Sequence, residues 1–425
     1  MTYIKQIAGE MRRQPVIGAV TLIGTALAIF LIMIVVMMQE VKVAPIAPES
    51  NRDRFLHARF FHRENLDGNG FGGSGTMSYQ IAKRLYNGLE HTDTTAFFIN
   101  GTYPLSAGVH GKTPIRIDMR NVDAAYWRVF DFTFIDGKPF TAEDVDAHLP
   151  KCIITESMAR ELFGTPQATG KDFNLDYFTT VTVSGVVKDV PTVTSLAYAQ
   201  AWMPLKEEHT DGWDRFMGPI HATILAKDKS DFQAIKQEVD RRVDALNAEL
   251  KSEGFKMADH DAPYPQVALP LMRYSNVTPD YESSQRQRWL IYTILLIIPA
   301  INLSSMTQSR LRQRVSEIGV RRAFGCTRLG IMRDILAENL MITIAGGLLG
   351  FLFSVTFAWI AADSLFASHH FSHSETGVTP WMLLDGNVFI FALGFCFILN
   401  LLTASIPAWR ASRLNPVEAI GGLHK

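Results

Sequence analysis

Several short stretches place reactive residue types at spacings that chemistry could use. Asp67-Gly-Asn-Gly-Phe-Gly-Gly-Ser-Gly75 opens like a calcium-binding loop. Its twelfth position, however, is Ser78, where a bidentate Glu is required, and the spaced acidic ligands are absent. It reads as a flexible glycine loop. Gly111-Lys112-Thr113 ends like a phosphate-cradling loop, but the leading glycine of that pattern falls on Ser106. Gly170-Lys171 runs into Asp172 instead of Ser or Thr, so neither stretch suits a nucleotide. His369, His370 and His373 cluster near Glu375. A metal would need further carboxylate or thiolate ligands, and a polar loop tip is the preferred reading. No Gly-x-Ser-x-Gly elbow or His-Glu-x-x-His pair occurs. The expectation is a chain with no catalytic residue, no metal and no cofactor of its own.

The most informative stretch is Arg310 to Asn339. Leu311, Val315 and Ile318 recur at helical spacing beside Arg312, Arg314 and Glu317. Gly325 then breaks the pattern, and Thr327 can cap a second helix. A cytoplasmic position would explain the arginines. It would not explain the apolar face of Val315, Ile318 and Phe324, which needs a partner or the lipid surface.

Four apolar runs must position this segment. They are Val16 to Met38, Trp289 to about Met306, about Asn339 to Ala362, and Gly386 to Trp409. Each suits the roughly 20 residues that a helix needs to cross a bilayer core. The first is longer than the apolar stretch of a cleaved signal, so it reads as an uncleaved anchor. Ile4, Ile7 and Met11 before it suit a short helix in the membrane interface. Asn302 and Asn400 are the main polar residues within the spans, fewer than a hydrophilic pathway usually needs. Gly346 and Gly350 form a small-xxx-small pair that permits close helix contact.

Charge sets the expected orientation. Arg310, Arg312, Arg314, Arg321, Arg322, Arg328 and Arg333 crowd between the second and third runs. Asp363 to Asp385 contains neither Lys nor Arg, and Arg410 and Arg413 follow the fourth run. Both termini and the Arg-rich loop are therefore expected in the cytoplasm, with residues 39–288 outside. Cys152, Cys326 and Cys396 then fall in different compartments, and no disulfide is available.

Charge is nearly balanced over 425 residues, with 41 Lys plus Arg against 42 Asp plus Glu. That excludes a nucleic-acid binder relying on bulk positive charge. The polar stretch from Asn51 to Tyr281 has α+β texture. Lys151 to Thr155 predicts a strand, Glu156 to Phe163 a helix ended by Gly164, and Thr179 to Val187 a β-branched strand. Ser230 to Lys251 predicts an amphipathic helix with Phe232, Ile235, Val239, Val243 and Leu246 on one side. The expected fold class is a membrane protein: four transmembrane α-helices, with a large α+β extracytoplasmic domain inserted between spans one and two.

Glu317-Ile-Gly-Val-Arg-Arg-Ala-Phe-Gly325 resembles the E-I-G-[IV]-x-[RK]-A-[IFL]-G signature of FtsX-like ABC transporter permeases of the MacB type. Asn415-Pro-Val-Glu-Ala-Ile420 is similar to that family's closing motif, and Tyr126 to Phe130, Asp136 to Thr141 and Ile153 to Gly185 resemble its periplasmic core domain. The resemblance implies three regions: 1–40, an interfacial helix and first span; 41–285, a MacB-like periplasmic core domain; and 286–425, an FtsX-like permease domain. It implies an inner-membrane mechanotransmission subunit that moves peptide, antibiotic, amphiphile or lipoprotein cargo outside the membrane. MacB itself carries an N-terminal ATPase, whereas this sequence begins at the membrane, so a separate cytoplasmic ATPase subunit is expected to bind ATP and Mg. Glu317, Ile318, Gly319, Val320, Arg321, Arg322, Phe324 and Gly325 would couple to it. Gly346 and Gly350 would pack a dimer with a second permease copy or a paralogue. A periplasmic adaptor and an outer-membrane duct are further implied where a cell has two membranes. A regulator of a cell-wall hydrolase and an ATPase-independent membrane sensor are the rival readings.

Overall fold

The computed structural model describes residues 15–67, 72–176, 178–206, 215–258, 261–272, 274–275, 277–294 and 315–366, with scattered positions from 297 to 409. Packing divides them into two compact units: an outer unit of residues 41–281, with which the end of the last long helix from 362 on is grouped, and a helical unit of the remaining described residues.

The helical unit opens with α1 (Pro15–Glu40). Ala26, Ile29, Met33 and Met37 form its buried stripe, while Val20, Ile23, Leu27 and Leu31 are open. Residues 281–294 are also helical.

In the outer unit, β1 (Phe55–Ala58), β2 (Phe60–Asn65) and β3 (Ser74–Thr76) lead into α2 (Tyr79–Tyr86). Ser78 caps α2, accepting from the Ile81 N–H at 3.4 Å. The residue that failed as a calcium ligand thus ends as a helix cap. Next come β4 (Thr92–Ile99), β5 (Tyr103–Gly108), β6 (Ile115–Val122), α3 (Tyr126–Val129), β7 (Phe134–Gly137) and α4 (Ala142–Asp146). Then β8 (Lys151–Thr155) and α5 (Glu156–Phe163) form over the residues expected. Gly164 ends α5 in the left-handed region at φ 74°, which costs glycine little. The unit continues with β9 (Asp172–Leu175), β10 (Thr179–Val187), β11 (Ala201–Pro204), β12 (Ile220–Ala226), α6 (Phe232–Leu250), β13 (Phe255–Met257) and β14 (Tyr264–Pro265).

Among the described residues, eleven strands form one sheet in the order β11-β8-β10-β9-β5-β6-β4-β12-β1-β14, with β7 beside β10. β8 and β10 pair in parallel, as a strand–helix–strand unit requires. β11 also pairs with β6, which closes six strands into a ring. Ile117, Cys152, Ile154, Phe173, Val181 and Val183 pack there with Met158 and Leu162 of α5. Burial pushes the Cys152 thiol pKa up.

The β4–β12–β1 part of the sheet has two lobes on its faces. On one, α2 and α6 bury Ile81, Leu85, Ile235, Val239, Val243 and Leu246 against Leu56, Phe97 and Ile224. On the other lies an aromatic core of Phe55, Phe98, Tyr126, Phe130, Phe140 and Trp202. Alternation along the strands assigns neighbours such as Phe97 and Phe98 to opposite lobes.

The chain returns to the helical unit with α7 (Val315–Ala323) and the 39-residue α8 (Arg328–Phe366). At 1.5 Å per residue α8 is about 58 Å long, well beyond a bilayer core. Its first turns carry Arg328, Arg333, Asp334 and Glu338, and its apolar portion follows. Leu22–Glu40 and Arg328–Ala361 are each long and apolar enough to cross a membrane. Most of the second and fourth apolar runs lies outside the described residues. So do Ile4, Ile7, Met11, Asn302, Arg310, Leu311, Arg312, Arg314, His369, His370, His373, Glu375, Cys396, Asn400, Arg410, Arg413 and the 415–420 motif.

Candidate functional site

The segment singled out by sequence folds as a helical hairpin. α7 stops where Gly325 turns left-handed at φ 91°. The Cys326 N–H then reaches back to the Arg321 carbonyl at 3.0 Å, closing the helix end as a Schellman motif does. Thr327 starts α8 at once, its Oγ1 accepting from the Gly330 N–H at 3.1 Å. The run Phe-Gly-Cys-Thr is therefore a stop, a turn and a start in four residues.

Two contacts hold the hairpin shut. Ile318 buries against Ile331 and Ile335 of α8, with Cys326 and Met332 packed on them. Arg321 donates to Glu317 Oε1 at 2.7 Å along α7, and its other nitrogen lies 3.8 Å from Asp334 on α8. These ions are substantially exposed, so they hold register more than they add stability.

Here the structure corrects one expectation. Sequence places Ile318 on an apolar face that needs a partner or the lipid surface, but α8 of the same chain covers it. Gly319 is buried as well. The apolar residues left open are Val320, Phe324 and Leu329, at 43%, 88% and 72% exposure. Leu329 escaped sequence reasoning because it belongs to the next helix. Glu317 and Gly325 are exposed, Arg321 is half-buried, and Arg322 lies on α7. An exposed apolar tip flanked by a carboxylate and guanidinium can dock into a groove while ion pairs fix its orientation.

The small-residue pair serves a contact within the chain. A β-carbon added at Gly346 would stand 2.8 Å from Thr25 Cβ, and one at Gly350 would stand 2.5 Å from the Ala26 carbonyl oxygen. α1 and α8 therefore meet nearly backbone to backbone, as small residues allow. The faces of these glycines expected at a dimer contact are filled by the chain's own first helix.

The outer unit uses its phosphate-loop look-alikes structurally. Lys112 Nζ caps the end of α5 through the Leu162 carbonyl at 2.7 Å, and Lys171 lies over the Phe163 ring. Sequence reasoning missed the buried polar residues Glu49, Arg52, His57, Arg120 and His221. For His57, Arg120 and His221 the only local signal is that charged or titratable types interrupt otherwise apolar strands; Glu49 and Arg52 lie before the first strand and carry no such signal. His57 Nε2 donates to Gln266 Oε1 at 2.8 Å, and His221 Nε2 lies 3.4 Å from His57 Nδ1. Burial drives the His57 pKa down to about 4 and that of His221 well below its usual value. Arg120, fully enclosed, donates to the carbonyls of Tyr198 and Ser195. Among the described residues no group of three or more His, Cys, Asp or Glu is arranged to hold a metal.

Comparison with known proteins places both units. The MacB-like periplasmic core domain matches residues 19–242, and the FtsX-like permease C-terminal matches residues 289–416. The macrolide export ATP-binding/permease protein MacB of Bdellovibrio bacteriovorus is 23% identical over 81% of this chain and 51% of its own length. The uncharacterized ABC transporter permease YknZ of Bacillus subtilis is 22% identical over 71% of this chain and 69% of its own. This chain spans about half the length of MacB relatives it matches. Among solved structures, the extracellular domain of the noncanonic ABC-type transporter YknZ from Gram-positive bacteria covers 48% of this chain and 99% of its own, at 17% identity and a TM-score of 0.34. With a MacB-like core domain matching more than half of its residues and an FtsX-like region following it, this chain belongs to the FtsX-like, MacB-type family of ABC transporter permeases.

Proposed function

We propose that this chain is the permease subunit of a type VII ABC transporter and works by mechanotransmission. A separate cytoplasmic ATPase binds ATP and Mg and docks on the α7–α8 hairpin. Hydrolysis moves the helices, and the outer domain moves cargo that is already outside the membrane. The exposed tip of Val320, Phe324 and Leu329 on a hairpin carrying Glu317-Ile-Gly-Val-Arg-Arg-Ala-Phe-Gly325 is the observation that carries this reading. Such a surface has no use in water unless something covers it. The sequence offers no phosphate-cradling loop, which supports a division of labour with a nucleotide-binding partner.

In this reading the protein crosses the inner membrane four times with both termini inside, and residues 39–288 are periplasmic. It pairs with a second copy or a paralogue. Peptides, antibiotics, other amphiphiles or lipoproteins are the proposed cargo, with an adaptor and an outer-membrane duct as further partners. The test is purification from native membrane with the hairpin intact or altered. Wild-type chain should bring down an ATPase, and Phe324→Asp should not. Equal recovery with both would refute the docking surface, and ATP hydrolysis by the pure chain would refute the division of labour.

A further inference from the structure

The two connections that join the outer unit to its flanking helices in sequence are laced together inside that unit. The outgoing one, residues 41–52, follows α1 directly. Its Arg52 donates through Nε to Glu49 at 2.7 Å and through Nη1 to the carbonyls of Val41 and Ala44 at 2.8 and 2.9 Å. Through Nη2 it reaches the Val193 carbonyl at 2.8 Å. Glu49 Oε1 accepts from the N–H groups of Leu196 and Ala197 at 2.8 and 3.0 Å. The returning connection passes along β14, which pairs with Leu56 and His57. Its Gln266 holds His57 through Oε1 and donates from Nε2 to the Lys42 carbonyl at 2.9 Å.

Arg52 and Glu49 are 2% and 0% exposed. Charges sealed from water tolerate little displacement, because each lost hydrogen bond exposes an unpaired group in a low dielectric. Apolar contacts slide, whereas these are directional. A shift of residues 41–44 must therefore carry Arg52, then Glu49, then the 193–197 loop. The ring of strands grips that loop too. Arg120 on β6 holds the Ser195 and Tyr198 carbonyls, and the Tyr126 hydroxyl on α3 donates to those of Leu196 and Ala197.

We propose that Gln266, Arg52 and Glu49 form a transmission joint. They bind the outgoing and returning connections into one body and hand its displacement to the 193–198 loop, and so to β6 and α3. They are positioning residues and touch no cargo. The mechanical role rests on the permease reading, but the coupling between connection and loop does not.

Amide hydrogen exchange on the full chain in lipid nanodiscs tests the joint. Gln266→Met keeps the volume and removes both hydrogen bonds, and Gln266→Asn keeps the amide but shortens its reach if the first variant fails to fold. Thr95→Val is the comparison, removing another buried hydrogen bond, to the Tyr86 carbonyl at 2.9 Å. Loss of Gln266 should speed exchange across residues 41–46 and, beyond its own bonds, at Leu196 and Ala197, by about tenfold or more. Thr95→Val should leave both regions at wild-type rates. Acceleration confined to 41–46, or equal acceleration at 196–197 by Thr95→Val, overturns the joint. Coupled exchange in a chain that recruits no ATPase upholds the joint and refutes only the permease reading.

Discussion

Gly350 on α8 faces the main chain of Ala26 on α1 so closely that a β-carbon there would stand 2.5 Å from the Ala26 carbonyl oxygen. Backbone cannot yield as a side chain can, so Gly350→Ala must push the helices apart. The expected loss is about 1–3 kcal/mol. Gly346→Ala meets the Thr25 side chain at 2.8 Å and the main chain only at the Leu22 carbonyl oxygen, 3.3 Å away, and should cost less. Gly394→Ala, with nothing within 4 Å, should be neutral. Thermal unfolding in detergent ranks the three, and a neutral Gly350→Ala would deny the contact.

The hairpin prediction separates folding from docking. The Glu317–Arg321 pair supports α7 by only about 0.2–0.5 kcal/mol, so Glu317→Lys should insert and fold as wild type. A charge left unpaired in a docked interface costs about 2–5 kcal/mol, and ATPase association should fall accordingly. Phe324→Ala should act alike. Pulldown and cargo-dependent hydrolysis in nanodiscs are the measurements. Wild-type values for both variants would reduce the segment to a positively charged loop.

Orientation is open to chemical labelling. Single cysteines at Ser230 and Ser374, in a background without the native three, should react with an impermeant reagent in cells whose outer layers are open to it. One at Ser316 should not. Reaction at position 316 with the membrane intact would reverse the proposed topology.

Acid should weaken the outer domain through its buried histidines. His57 titrates near 4 in the fold against 6.5 when unfolded. Its neutral form is therefore favoured by folding: the contribution is complete above 6.5 and is lost as pH falls towards 4. The difference corresponds to about 3 kcal/mol, and His221 acts in the same direction. Because Gln266 Nε2 donates to Lys42, its Oε1 must accept from His57 Nε2–H, which leaves Nδ1 as the acceptor. Urea unfolding of the full chain between pH 7 and 4 should show a decline that His57→Gln makes shallower. Parallel pH profiles for the two would reject the assignment.

The buried pair itself should respond strongly to the loss of either charge. Arg52→Ala strands Glu49 and three carbonyls, and breaking such a pair costs about 3–5 kcal/mol. Glu49→Gln keeps an acceptor for Leu196 and Ala197, but it turns an amide donor toward Arg52 Nε–H and leaves the buried guanidinium without a counter-charge, so its cost should also be about 3–5 kcal/mol. A near-neutral Glu49→Gln in urea unfolding would show that Glu49 acts through volume instead of charge.

Local order in this protein was written in the sequence. β8, α5 and β10 form where alternation, helical spacing and Gly164 placed them. α6 forms at Phe232–Leu250, inside the 230–251 expected, with Ile235, Val239, Val243 and Leu246 buried. The stop–turn–start at Phe324 to Thr327 was equally readable, because each of its residues acts on its own backbone. The pattern of a strand or helix, however, tells only which side is apolar, not what covers it. Tertiary structure decided that Ile318 faces α8, that Gly350 faces Ala26, and that β4 pairs with β12 far along the chain. It also decided the placing of Glu49 and Arg52. In the sequence these are two charges after an apolar run, and only a fold that removes water from both makes them hold the 193–197 loop.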